Sequence, residues 1–211
     1  MTAFITHYLK KNRLDLWVLL VLTSLVCLIP GAVRADVSAA EISVFKAERA
    51  GEAILLTAAV KFELPAAVEE ALMKGVAIIF VAEVDVYRER WYWKNKKVAS
   101  AERHLRLAYQ PLTRRWRLNI ASGVITNSAL GISLNQNFDT LADALSALQR
   151  QSRWKIAEVS EVELEQKHSI EFNFRLDLAQ LPRPLQIGTL GQSDWNISAS
   201  IIRPLVMEVS R

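Results

Sequence analysis

Tyr87-Arg88-Glu89-Arg90-Trp91-Tyr92-Trp93, followed by Lys94, Lys96 and Lys97, sets aromatic rings beside cations in one short stretch. Arg114-Arg115-Trp116-Arg117 has the same character further along. Guanidinium groups hold phosphates and carboxylates through paired hydrogen bonds, and Trp and Tyr rings stack on bases, sugars or lipid head groups. Trp, Tyr and Arg are also enriched at the energetic centres of protein interfaces. Arg88, Arg90, Trp91, Trp93, Arg115 and Arg117 are therefore the candidate interaction surface. The same residue types are also common on solvent-facing antiparallel strands, where cross-strand stacking stabilises the pair with no partner involved.

Other chemistries find few residues to use. Beyond Cys27 the chain has no cysteine, its later histidines are His104 and His168, and HExxH is missing, so no zinc ligand set is legible. Glu161, Glu163 and Glu165 would share one face of a strand, which reads as a solvated face because the glycine pattern of a calcium loop is missing. There is no G-x-S-x-G nucleophile elbow and no glycine-rich phosphate loop. Pairs of carboxylates can be chosen from any chain this acidic, so they carry no specificity for glycoside cleavage. The expectation is a protein that is not an enzyme, with no catalytic, metal or cofactor site.

The N-terminus supplies an address. Lys10, Lys11 and Arg13 precede an apolar run from Leu16 to Ile29, then Pro30-Gly31 and Val33-Arg34-Ala35. That order predicts a signal peptide over residues 1–35, cut after Ala35. The run falls short of the roughly 20 apolar residues of a spanning helix, and an uncleaved anchor is the alternative. Val26 before Cys27 is too large for a lipoprotein signal. The expected location is the periplasm, or the inner membrane facing it, with membrane contact only through this segment. The net charge of +4 belongs mostly to the leader, because removing Lys10, Lys11, Arg13, Arg34 and Asp15 leaves 22 basic against 21 acidic residues. Export and a near-neutral body together argue against a nucleic-acid partner.

Residues 36–211 contain no repeat, linker or low-complexity tract and read as a single β-rich domain held by packing alone. Ile42, Val44 and Phe45 open a strand that turns at Gly51 into a second one, Ala53 to Leu64. Pro65 starts a helix that Lys74-Gly75 closes, with Val68, Ala71 and Leu72 on one face. Val76 to Trp93, Val98 to Tyr109 and Arg114 to Ala121 alternate with short turns as an antiparallel meander, Trp116, Leu118 and Ile120 facing inward. Phe138, Leu141, Ala142, Leu145 and Leu148 follow the spacing of a second helix, with Thr140 and Asp143 as its capping box. Strands follow at Trp154 to Glu158, Val162 to Phe174, Leu176 to Leu178 and Asp194 to Ile202, and Leu181-Pro182-Arg183-Pro184 breaks any ladder. The predicted class is mainly β (α+β): an antiparallel sandwich or strongly curved sheet with two short amphipathic helices.

Three stretches carry a family resemblance: Leu64-Pro65 through Ala71-Leu72 to Lys74-Gly75-Val76; Arg88, Arg90, Trp91 and Trp93 with Leu107, Tyr109, Leu112 and Thr113; and Phe174, Leu176 and Asp177 with Leu181-Pro182-Arg183-Pro184-Leu185-Gln186 and Trp195. The chain resembles the proteobacterial exported family classed as domain of unknown function four-three-nine-zero. That resemblance implies no assigned activity and no catalytic residues. It also implies genes that often stand beside a membrane sensor kinase of the nitrogen-regulation type, and so a shared envelope function. The first expectation is thus a binding or accessory module with an envelope protein partner, a membrane sensor kinase being the candidate. A carrier of an apolar or lipid-like ligand inside a curved sheet is the alternative, suggested by strands apolar on both faces such as Val76 to Val81. An envelope enzyme ranks third.

Overall fold

Alternation of apolar and polar side chains decides this architecture. In the computed structural model, which describes residues 40–122, 133–162, 165–189 and 195–209, the chain from Ser38 onward forms one compact unit. The leader and Glu163 lie outside the described residues. Strands β1 (Glu41–Ala50) and β2 (Ala53–Lys61) form a hairpin about Gly51, whose φ of 62° suits a residue without a Cβ. β2 buries Ile54, Leu56, Ala58 and Val60 and exposes its alternate face more, as a half-buried strand must. On its other side β2 pairs with β7 (Arg150–Glu158), while β1 carries the short β10 (Met207–Val209) in parallel. The four-stranded sheet runs β10-β1-β2-β7.

The six-stranded sheet runs β6-β5-β4-β3-β8-β9 and is antiparallel throughout. Its strands are β3 (Ile78–Arg88), β4 (Lys96–Gln110), β5 (Arg115–Ser122), β6 (Ser133–Phe138), β8 (His168–Leu176) and β9 (Ser198–Pro204). β3, β4 and β5 are the expected meander. β3 lies between β4 and β8 and buries Ile78, Phe80, Ala82, Val84 and Val86 on its inner face.

The sheets share one core. Phe45 of β1 meets Phe172 of β8 with ring centroids 6.1 Å apart, and Phe62, just after β2, meets Phe80 at 5.4 Å and Phe174 at 5.6 Å. Phe80 and Phe174 stack at 5.5 Å. Each fully buried ring of this size stabilises by about 1.5–3 kcal/mol through area alone, and each ring pair adds about 0.5–1.5 kcal/mol. Aromatic rings pack between the two sheets, and β3, central in its sheet, turns an apolar face to them. The result is a mainly β, two-sheet sandwich.

Short helices close the ends. Helix α1 (Ala66–Met73) starts behind Pro65, whose carbonyl accepts from Val68 and Glu69 N–H at 2.9 and 3.1 Å. Gly75, at φ 83°, ends it as expected. Helix α2 (Leu141–Gln149) is capped by Thr140, whose hydroxyl accepts from Asp143 N–H at 3.1 Å and donates to the Asp143 carboxylate at 2.6 Å. The prolines near residue 183 exclude a strand, but they also permit a third helix, α3 (Arg183–Thr189). Pro182 offers its carbonyl to Leu185 and Gln186 N–H at 2.9 and 3.1 Å, and Pro184 lies in the first turn, where a missing donor costs nothing. A second difference lies before β8: Val159–Glu161 form a 3-10 turn and the strand starts at His168, so neither Glu161 nor Glu165 stands on a strand.

Candidate interaction surface

At the β3–β4 hairpin end β8 stays beside β3 as far as Arg88, while among the described residues β4 loses its outer neighbour. β5 pairs with β4 only from Arg103 to Gln110, so among the described residues Lys96 to Ala101 pair with β3 alone. Between Val86 and Tyr87 the register shifts and leaves Val98 without an opposite residue, a bulge that increases the twist of the arm. At its root the Asp85 carboxylate accepts from Ser100 Oγ at 2.6 Å and Tyr87 Oη at 3.2 Å, and pairs with Lys97 Nζ at 2.6 Å. Burial by itself pushes the Asp85 pKa up. The hydrogen bonds from Lys97 and Ser100, with the Lys97 charge, outweigh it and hold the carboxyl below its ordinary value. Lys97 is correspondingly raised, chiefly by its hydrogen bond to Asp85, and Tyr87 is raised by burial and then by the Asp85 charge.

Beyond this root the loop is tied at two points. Glu89 N–H donates to the Lys167 carbonyl at 2.9 Å, and Arg90 N–H donates to Asn95 Oδ1 at 3.3 Å. Between the ties, Trp91 is 94% exposed and Tyr92 and Trp93 are each 72% exposed. The Trp91 and Tyr92 rings meet edge to face at 5.2 Å. Arg90, Lys94 and Lys96 surround them, also exposed, and Arg88 is half-buried on the last residue of β3.

Arg115 and Arg117 do not belong to this surface. They lie at the start of β5, beside the turn at the far end of β4, where Arg115 pairs with Gln110; Arg88 pairs with Lys96 at the near end. The 15-residue β4 lies between, roughly 45 Å at a strand's rise per residue. There Arg115 Nε reaches Asp139 Oδ1 at 3.3 Å and Arg117 Nε donates to Asn137 Oδ1 at 3.3 Å. Trp116 points inward against Tyr109, with centroids 4.9 Å apart. The expected surface of six residues is thus two separate places, and only the hairpin end presents aromatic rings to solvent.

The histidines do not converge either. His104 pairs with Val81 and His168 with Arg88, positions of opposite parity on β3, so they face opposite sides of the sheet. His104 Nε2 lies 2.7 Å from Glu102 Oε1, and His168 Nδ1 lies 2.8 Å from the Gln166 carbonyl. Glu102 stands opposite Glu83 on the outward face, and Glu83 is paired with Arg175 at 2.7 Å. No group of three or more His, Cys, Asp or Glu among the described residues could hold a metal ion. Nor is any helix among them long and apolar enough to cross a membrane.

One residue of interest escaped the sequence reading. Arg103 shares the inward parity of β4 with Ala99, Ala101, Leu105 and Leu107. A single cation in an apolar row was the available signal; Glu102, His104 and Arg106, the outward residues around it, masked it.

The chain is thus a two-sheet β-sandwich with an exposed aromatic and cationic hairpin end. A family model matches residues 37–203, and the chain belongs to that family, a domain of unknown function (DUF4390). No curated protein matches it, and no solved structure does.

Proposed function

We propose that this chain is an exported periplasmic binding or accessory module that docks on an envelope protein through its β3–β4 hairpin end. The observation that carries the reading is the exposure of Trp91, Tyr92 and Trp93 in one tied loop. Burying one such ring yields about 4–6 kcal/mol before the costs of association. Flanking Arg90, Lys94 and Lys96 suit an acidic rim on the partner. The leader pattern in residues 1–35 supports the compartment, and the gene neighbourhood implied by the family resemblance makes a membrane sensor kinase the first partner to test.

Capture from native envelope extract tests this directly. The wild-type chain should retain a specific membrane protein that Trp91→Ala with Trp93→Ala loses, and the retained chain should begin at Asp36. Equal capture by both proteins would remove the docking role, as would retention by protein-free anionic vesicles alone. A chain that still begins at Met1 and fractionates with cytosolic protein would remove the export.

A further inference from the structure

Arg103 of β4 shares a groove with residues of β5, β6, α2 and β7. It lies over the Trp154 ring at 4.8 Å from the centroid and donates from Nη1 to Gln151 Oε1 at 3.3 Å. Gln151 is buried and is itself fixed by donating to the Leu148 carbonyl at 2.9 Å. No carboxylate among the described residues lies within ion-pair distance of Arg103.

Arg103 is half-buried. A charge partly withdrawn from water gains from a counter-charge, because the desolvation is otherwise unopposed. Here burial alone acts on Arg103 and lowers its pKa from the ordinary value, yet a guanidinium remains charged at neutral pH. Methionine or leucine would fill the same row of β4 without that cost. Only one of the five N–H donors of the fork finds a protein acceptor among the described residues.

Arg103 lines an open groove of about 620 Å³. Ser122, Gln136, Ser146 and Ser152 bring hydroxyl and amide groups to its walls, Arg150 a second cation, and Ile120 and Leu134 an apolar strip. The planar fork of an arginine matches a carboxylate or phosphate with two parallel hydrogen bonds. Stacking on Trp154 and the bond to Gln151 preorganise that fork before any ligand arrives.

We infer that this groove binds a small hydroxylated anion, its carboxylate or phosphate held by Arg103 with Arg150 nearby and its hydroxyls held by the serine and glutamine walls. The site is independent of the hairpin end, so either reading can fail without the other. Sugar acids and sugar phosphates share this chemistry.

Amide NMR spectra of the nitrogen-15-labelled full chain, titrated with gluconate, glucose 6-phosphate and neutral glucose, test the inference. At least one anion should give saturable shifts centred on Ser122, Ser146 and Gln151, with glucose giving none; the tighter anion identifies the head group. Arg103→Met should weaken binding at least tenfold. Ala147→Trp, which fills the groove without changing Arg103, should do the same and keeps the test open if Arg103→Met fails to fold. Saturation by neither anion, shifts matched by glucose, or undiminished binding in Ala147→Trp would each overturn the assignment.

Discussion

Asp85 and Lys97 meet across β3 and β4 at 2.6 Å, on the outward face and across the bulge at Val98. The pair sits where, among the described residues, β4 has lost β5 as a neighbour and pairs with β3 alone. Tyr87 and Ser100 add two hydrogen bonds to the same carboxylate. This cluster therefore fixes the direction of the arm that carries Trp91 and Trp93, although no member of it lies in the loop itself.

Acid should loosen that root. The Asp85 pKa is lower in the folded chain than in the unfolded one, so its contribution is present above the unfolded value and disappears as pH falls through the folded one. Asp85→Asn should cost about 1–2 kcal/mol at neutral pH, since hydrogen bonds to a charged, partly buried acceptor are lost. The gap in melting temperature between variant and wild type should shrink below about pH 4, the ordinary range of an aspartate. Thermal unfolding followed by circular dichroism across pH 2–8 reads both, and a gap independent of pH would show that the charge is not what matters.

Core and hairpin end should respond oppositely to truncation. Phe174 packs on Phe62 and Phe80 between the sheets, so Phe174→Ala should cost about 3–5 kcal/mol. Trp91 is almost wholly in solvent, and Trp91→Ala should stay within about 0.5 kcal/mol of wild type. Urea unfolding measures both. A large loss from Trp91→Ala would mean that the ring serves the fold, which would undercut its reading as a docking residue.

Thr140 provides a local test of the α2 cap. Its hydroxyl is the side-chain acceptor for the first turn of the helix, so Thr140→Ala should cost about 1 kcal/mol and Thr140→Ser very little. Because Ser146 and Ala147 of the same helix line the Arg103 groove, amide exchange in residues 141–149 should also quicken in the alanine variant. Protection factors from hydrogen exchange check this directly.

Elements with strong periodicity were legible in the chain. The parity of Ile78, Phe80, Val84 and Val86 against Leu105 and Leu107 sufficed for the central strands, and Thr140 with Asp143 marked α2. Elements set by distant partners were not. The parallel pairing of β1 with Met207–Val209 joins opposite ends of the chain, and no local pattern encodes it. Two prolines at 182 and 184 forbid a ladder but are compatible with the start of a helix, and the choice for α3 went to the carbonyl of Pro182. The division of the candidate surface into two places is instructive in another way. Successive turns of a meander lie at opposite ends of the sheet, so the loop at Trp91 and the turn before Arg115 had to separate, whatever their shared composition suggested.

That separation gives the last expectation. A standard protein interface buries about 800 Å² on each partner, a patch roughly 30 Å across, whereas the hairpin end and Arg115 are held apart by the full length of β4. One ordinary partner therefore cannot cover both. Arg115 and Arg117 already have local acceptors in Asp139 and Asn137, so their composition is explained by the β5–β6 edge alone. Arg115→Glu with Arg117→Glu should leave capture from envelope extract unchanged, while Trp91→Ala with Trp93→Ala abolishes it. Quantifying the captured protein by mass spectrometry for both pairs decides the matter. Loss of capture in the arginine pair, with folding intact by circular dichroism, would require a partner far larger than one interface or a docking site at the other end of the sheet.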